Sequence, residues 1–111
     1  MYYFIEAWTP NDTWKGLSAE DREAFMAGVR GAITQMAEGG ISTLGWGEND
    51  ADTPHRIDQE FVAVWQAPSK EAIQALEAGV QASGWYDYFD QGNLRAELGP
   101  EQAVMDRHVA L

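Results

Sequence analysis

Glu6 is the first residue of this sequence whose type and position could do chemistry. It lies between Phe4 and Trp8 on one side of a β-strand predicted over residues 1–8. A carboxylate flanked by aromatic side chains loses water, which raises its pKa and suits it to act as a general base or acid near neutral pH. The alternative is a glutamate at the rim of the sheet that is solvated or paired with Arg56 or Arg95. The sequence leaves both interpretations open.

His55 is the second candidate for proton transfer. It precedes Arg56 in residues 48–57, a polar stretch with the character of a hairpin loop. Histidine titrates near neutral pH, so it would act if this loop folded over the mouth of a pocket. A simply exposed histidine is the alternative. His55, His108 near the C-terminus and either Glu6 or Glu60 could form a metal site, but the spacing matches no metal motif and we predict no bound metal.

Aromatic residues are concentrated in residues 84–93, between two glycines. If this segment is a strand, Tyr86 and Tyr88 share one of its faces and Asp87 lies on the other. Tyrosine hydroxyls can orient a carbonyl or phenolate oxygen during catalysis. The alternative is that these rings fill a core and a subunit contact.

The predicted catalytic set is therefore Glu6, His55, Tyr86 and Tyr88. A small organic ligand would be enclosed by tryptophans and oriented by nearby charged residues. These predicted substrate-binding residues are Trp8, Trp46, Trp65, Arg56 and Asp87.

Composition excludes several classes of function. Eighteen acidic and seven basic residues give the 111-residue chain a formal charge of −11. Such a surface repels nucleic acids and anionic membranes, so we expect neither as a partner. The absence of cysteine excludes thiolate nucleophiles and cysteine-bound metals and fits a reducing compartment. With no signal-peptide pattern and no membrane-spanning apolar run, we expect a cytoplasmic protein.

The elements that must position these residues follow from capping and periodicity. Ser18 is a suitable N-cap for an amphipathic helix over Ala19–Glu38, and Ser69 caps a second helix that ends near Gly84. Strands are predicted over residues 1–8, 41–47 and 58–67, the aromatic segment forms a fourth, and Pro100 begins a short tail helix.

This order, β-α-β-β-α-β, predicts an α+β ferredoxin-like domain over residues 1–111 with a tail from 97 to 111. Its sheet would have four antiparallel strands and two helices on one face. We expect the first and third strands to be central, adjacent and parallel, with Trp8 and Trp65 as neighbours at one end. The face without helices would expose apolar side chains, and packing against a second copy would cover it. We therefore expect a homodimer through this face.

The sequence resembles the dimeric α/β-barrel superfamily and, within it, a small bacterial family of unknown function related to the antibiotic biosynthesis monooxygenase-like proteins. The resemblance spans residues 1 to about 95. It depends on His55-Arg56, Val64-Trp65 and the segment Ser83-Gly84-Trp85-Tyr86-Asp87-Tyr88-Phe89. The superfamily includes cofactor-free monooxygenases, isomerases, dehydratases, haem-binding chlorite-dismutase relatives and stress proteins. It implies a pocket against the sheet but no single chemistry, and neither histidine resembles a haem ligand.

Two functions are consistent with these observations. The first is a cofactor-independent enzyme that transfers a proton from a small carbonyl or aromatic metabolite, followed by isomerisation, elimination or oxygen addition. The second is a non-catalytic dimer that binds a small ligand or serves as a stress or accessory protein. An enclosed pocket lined by Glu6 or His55 with convergent polar groups favours the enzyme, whereas a filled space between helices and sheet favours the second function.

Overall fold

The computed structural model describes residues 1–111 and contains a four-stranded antiparallel sheet with two long helices against one face. This is the predicted ferredoxin-like α+β arrangement. The elements in chain order are β1 (Tyr2–Pro10), α1 (Asp12–Lys15), α2 (Ala19–Glu38), β2 (Ser42–Glu48), β3 (Phe61–Ala67), α3 (Lys70–Ala82), β4 (Phe89–Glu97) and α4 (Glu101–Val109).

The two long helices begin at the predicted caps. The Ser18 hydroxyl accepts a hydrogen bond from the Asp21 amide at 3.0 Å, and the Ser69 hydroxyl accepts one from the Ala72 amide at 3.1 Å. Each bond satisfies a backbone donor that has no partner within the helix, which fixes where the helix starts. Helix α2 has the predicted bounds.

The sheet order is β2-β3-β1-β4, so β1 and β3 are central as predicted. The expectation that they run parallel was wrong, because β1 and β3 pair antiparallel. The crossover through α2 makes β1 and β2 parallel, and the hairpin then reverses β3. Trp8 consequently pairs with Phe61 and Phe4 pairs with Trp65. The two tryptophans therefore lie four residues apart along the strands, not at one end.

Only the second part of the aromatic segment, from Phe89 onwards, belongs to the fourth strand. Gly84 adopts a φ of 83°, and residues Trp85–Asp87 form one turn of 3-10 helix before β4 begins at Phe89. The positive φ suits glycine and turns the chain back after α3. The Trp85 ring then stacks on Phe89 with a centroid distance of 4.0 Å. Aromatic residues favour strands in general, but here their packing into one cluster overrides that preference.

The two faces of the sheet differ in burial. Phe4, Glu6 and Trp8 on β1 are buried beneath the helices, together with Ala63 and Trp65 on β3. The alternate residues of these strands face away from the helices and are only half-buried. We call this second side the open face.

Helix α4 extends from the end of β4, and every residue from 101 to 111 is exposed. Its apolar side chains lie outside the hydrophobic core of the single chain. No helix in this structure combines the length and the apolar composition that a membrane span requires.

Candidate functional site

A cavity of about 700 Å³ lies between α2, α3 and the sheet. Its volume is within the range of cavities that hold small organic ligands. The helices border it with small residues spaced four apart, which are Ala24, Gly28 and Ala32 on α2 and Ala75, Gly79 and Ser83 on α3. A Cβ atom added at Gly28 or Gly79 would meet nothing within 4 Å. The glycines therefore leave open space between the helices.

The walls of this cavity are mostly apolar. Twelve of its 17 lining residues are hydrophobic, so an occupant must be largely apolar as well. Phe25, Val29, Ile33 and Met36 of α2 point towards the hollow, yet none of the 20 residues of this helix is fully buried. A helix that faced a filled core would bury this stripe. Its partial exposure is what an accessible binding cavity requires.

Glu6 is the one ionisable residue in the lining. It is only 4% exposed and lies at the middle of the central strand β1. The Trp65 Nε1–H donates to Glu6 Oε1 at 2.6 Å, and Gln91 Nε2 donates to Glu6 Oε2 at 2.7 Å. Burial raises the pKa of Glu6 above its ordinary value of 4.5, and the two hydrogen bonds oppose that rise because they favour the carboxylate.

The hydrogen bonds continue beyond Glu6 along β4. Gln91 Oε1 accepts from Trp85 Nε1–H at 2.7 Å, and Gln91 Nε2 also donates to Asn93 Oδ1 at 2.8 Å. Asn93 Nδ2 in turn donates to the Tyr86 hydroxyl at 3.2 Å. The acid is thus held in a defined position by a network that links β1, β3, β4 and the turn after α3.

Three predicted site residues meet at the cavity. Glu6, Trp46 and Trp65 all contribute to its lining. The structure also resolves the alternative for Glu6, because it is buried and not at the rim. The arginines proposed as its partners are engaged elsewhere: Arg95 pairs with Glu77 at 2.9 Å, and Arg56 donates to backbone carbonyls of its own loop, including that of Asp50 at 2.7 Å.

His55 and Arg56 lie apart from the cavity. The loop between β2 and β3 does not fold over the cavity mouth, because its residues Asn49, Ile57 and Gln59 line a groove on the open face. His55 is exposed and adopts a φ of 57°, which places it at a turn of this loop. The predicted histidine is therefore absent from the lining of the cavity that contains the predicted glutamate.

The remaining predicted residues surround the cavity wall without lining it. Trp8 is buried among aromatic rings, with centroids 5.1 Å from Trp46 and 5.4 Å from Trp85. Tyr88 packs edge-on against Phe25 at 5.0 Å. Tyr86 reaches Glu6 only through the amide network, and the Asp87 side chain is exposed. Neither tyrosine hydroxyl is placed to hold a substrate oxygen in the cavity.

Sequence reasoning missed Gln91, Asn93 and Trp85 as parts of the site. Gln91 and Asn93 follow Phe89 at steps of two, so they share its buried face of β4. Polar amides at such positions could have been recognised once the strand was correctly placed to begin at Phe89. The small residues at four-residue steps on both helices were the other available signal.

These features define an α+β ferredoxin-like protein with an apolar cavity and one buried acid. The chain belongs to a family of unknown function, DUF6616, whose model matches residues 1–111. A search of curated proteins by sequence gave no match.

Solved structures share the fold at low sequence identity. A mutant chlorite dismutase from Candidatus Nitrospira defluvii aligns with a TM-score of 0.69 and 16% identity, over 97% of this chain and 47% of that one. The Arabidopsis thaliana protein At3g17210 aligns with a TM-score of 0.65 and 15% identity, over 90% of this chain and 97% of that one. The chain thus spans about half the length of the chlorite dismutase. Such identities show a common fold alone.

The residues of the cavity do not fit a haem, which the resemblance to chlorite-dismutase relatives would imply. No histidine, arginine or lysine lines the cavity to ligate iron or to pair with propionates. His55 lies in the exposed loop, and His108 lies on the exposed helix α4. No three histidine, aspartate or glutamate side chains are grouped closely enough to hold a metal ion.

Proposed function

We propose that this protein is a cofactor-independent enzyme that binds a small, mostly apolar molecule between its helices and sheet and transfers a proton through Glu6. The observation that carries this proposal is a carboxylate, 4% exposed, in the wall of a cavity of about 700 Å³. Burial raises the pKa of this carboxyl, which brings its proton affinity closer to that of weakly acidic substrates.

The lining also limits the charge of the substrate. Glu6 is the one charged group in the cavity, and the chain carries a formal charge of −11. A carboxylate or phosphate substrate would meet this charge without a cation to offset it. The substrate class is therefore a neutral or cationic molecule that can donate a hydrogen bond to Glu6.

The donors next to Glu6 cannot stabilise a new oxyanion, because Trp65 and Gln91 already donate to the carboxylate and the Ser83 hydroxyl donates to the Val80 carbonyl at 2.7 Å. Two further donors, the Gln35 amide and the Trp46 indole N–H, belong to lining residues, and both are neutral. An anion formed by proton loss must therefore depend largely on its own delocalisation. Phenols, quinols and carbon acids beside a conjugated carbonyl meet this requirement.

The chemical step is the movement of one proton from a C–H or O–H bond of the substrate to Glu6. Return of the proton to a different atom gives isomerisation, and loss of a leaving group gives elimination. Reaction of the substrate anion with dioxygen, which keeps one oxygen atom in the product and releases the other as water, is the outcome that the resemblance to antibiotic biosynthesis monooxygenase-like proteins suggests.

A non-catalytic ligand-binding or accessory protein is the second candidate. It is favoured by the scarcity of polar groups in the lining and by the position of His55, Tyr86 and Tyr88 outside it. In such a protein, Glu6 would only accept a hydrogen bond from the ligand. Replacement of Glu6 would then weaken binding without affecting any turnover.

We further propose that two copies pair through the open face. Leu94 and Ile57 are 66% and 58% exposed there, beside the half-buried Ile5 and Val62. An apolar face of this kind is unfavourable in water. We propose that a second copy of this chain covers the open face, because one copy matches only 47% of the length of a chlorite dismutase chain. Two copies of this chain together match the length of one chlorite dismutase chain.

The function is tested by identifying molecules that co-purify with the protein. Native mass spectrometry of the wild type and of Gly79→Phe, which fills the space between the helices, would separate cavity ligands from surface contaminants. We expect a neutral or cationic molecule in the wild type that is absent from the variant. Turnover of that molecule by the wild type but not by Glu6→Gln supports the enzyme, and no turnover by either supports the binding protein.

A further inference from the structure

The two hydrogen bonds to Glu6 come from donors of different kinds, an indole N–H and a side-chain amide. An indole N–H only donates, so Trp65 can bond to Glu6 Oε1 only as a donor. A side-chain amide, by contrast, carries both a donor and an acceptor end. Gln91 could in principle turn its carbonyl towards Glu6 and favour the protonated acid.

Trp85 prevents this reversal. Its indole N–H donates to Gln91 Oε1 at 2.7 Å, and only the amide oxygen can accept it. The two hydrogens of Gln91 Nε2 then point to Glu6 Oε2 and to Asn93 Oδ1. The Gln91 amide can therefore form these three hydrogen bonds together in only one orientation.

This orientation decides where a proton can reside on Glu6. A carboxylate has about four lone-pair sites, and Trp65 and Gln91 occupy one on each oxygen. A proton must take a site that these donors leave free, and Glu6 belongs to the lining of the cavity. The chain through Gln91 and Asn93 to Tyr86 contains amides, which do not relay protons, and no other ionisable side chain lines the cavity.

We propose that Trp85 is a positioning residue that acts through Gln91, so that both Glu6 oxygens are held by donors and Glu6 exchanges its proton only with a molecule in the cavity. The inference deepens the proposed function and rests on it for its catalytic meaning. The hydrogen-bonding claim itself can be tested in the free protein, without any substrate.

The test is a ¹³C NMR titration of the Glu6 carboxyl in the wild type, Trp85→Phe, Gln91→Met and the double variant. Gln91→Met keeps the side-chain length but removes the donor, so we expect about a tenfold shift of the Glu6 protonation equilibrium towards the acid. Trp85→Phe should shift it in the same direction by a smaller factor, because Gln91 becomes free to turn. In the Gln91→Met background, Trp85→Phe should have no effect.

An equal effect of Trp85→Phe in both backgrounds would overturn the inference, because it would then arise from packing alone. An unchanged titration in Trp85→Phe would overturn it as well. If a variant fails to fold, the wild type supplies the test. Its Trp85 indole N–H resonance should remain hydrogen-bonded on both sides of the Glu6 titration. Loss of that bond when Glu6 becomes protonated would contradict a fixed Gln91.

Discussion

The two faces of the sheet each carry a hollow, and the hollows differ in chemistry. The cavity under the helices, about 700 Å³, contains a buried acid with fixed hydrogen-bond donors. The groove on the open face, about 430 Å³, has no ionisable residue in its lining. Alternation along the same strands produces both, since Glu6 faces one hollow while Ile5 and Ala7 face the other. The face under the helices is therefore suited to chemistry, and the open face is suited to association.

Glu6→Gln, a substitution in the cavity under the helices, should have the largest effect on turnover and on stability. Loss of a general base lowers the turnover of a cavity substrate by about 100-fold or more. The new amide must also place a donor against Trp65 or Gln91, which lowers the free energy of unfolding by about 1–3 kcal/mol. Steady-state kinetics and urea unfolding measure the two effects. Glu60→Gln, at an exposed glutamate outside the cavity, is the matched control and should alter neither. Equal turnover in both variants would remove Glu6 from the mechanism.

Leu94→Arg should disrupt association through the open face. Leu94 pairs with Ile5 across β4 and β1 and is 66% exposed in the single chain. In a two-fold dimer the substitution buries an unpaired charge in each copy, so we expect the dissociation constant to rise by about 100-fold or more. Light scattering against concentration measures it. Val109→Arg on α4, at a site that is 86% exposed, should leave the dimer intact. A wild type that is monomeric at high concentration would refute the assembly.

The pH dependence of stability should show the buried acid directly. The pKa of Glu6 is raised in the folded state, so folded protein retains a proton that the unfolded chain releases as the pH rises above 4.5. The Glu6 contribution is therefore complete at lower pH and is lost as the pH rises through the folded-state pKa. Between pH 4.5 and the folded-state pKa of Glu6, the free energy of unfolding of the wild type should fall relative to that of Glu6→Gln. Urea unfolding at a series of pH values measures the difference, and a constant difference would contradict a raised pKa.

The smallest expected effects on stability and ligand binding are those of Gly28→Ala and Gly31→Ala. Both glycines are within α2, and an added Cβ meets nothing within 4 Å at either. Alanine should therefore raise the free energy of unfolding by up to about 1 kcal/mol in each case. Only Gly28 lines the cavity, so only Gly28→Ala should weaken ligand binding by calorimetry. Equal binding by both variants would place the ligand elsewhere.

The sequence was sufficient for most of the fold because each signal for it was local. The Ser18 and Ser69 caps and the amphipathic pattern of α2 each depend on neighbouring residues. The direction of β3 relative to β1 required the chain path to be followed through two connections. The start of β4 depends on the tertiary packing of Trp85 against Phe89. The strand preferences of single residues carry no information about this contact.

The site was less predictable because it depends on contacts between distant segments. Glu6 was recognisable from its apolar neighbours, but its donors come from β3 and β4, which are 59 and 85 residues away. His55 has an equally suitable side chain, yet its loop folds to the opposite face. Residue type therefore identified two candidates, and only the register of the sheet distinguished them.

The most direct test of this account is an NMR titration of labelled protein with the co-purifying molecule. We predict that the Trp46 and Trp65 indole resonances and the Glu6 carboxyl shift together and saturate at one ligand per chain. The methyl resonances of Ile57, Val62 and Leu94 should remain unchanged. A saturating shift of these methyl groups, with Trp65 and Glu6 unaffected, would place the ligand on the open face and contradict the account.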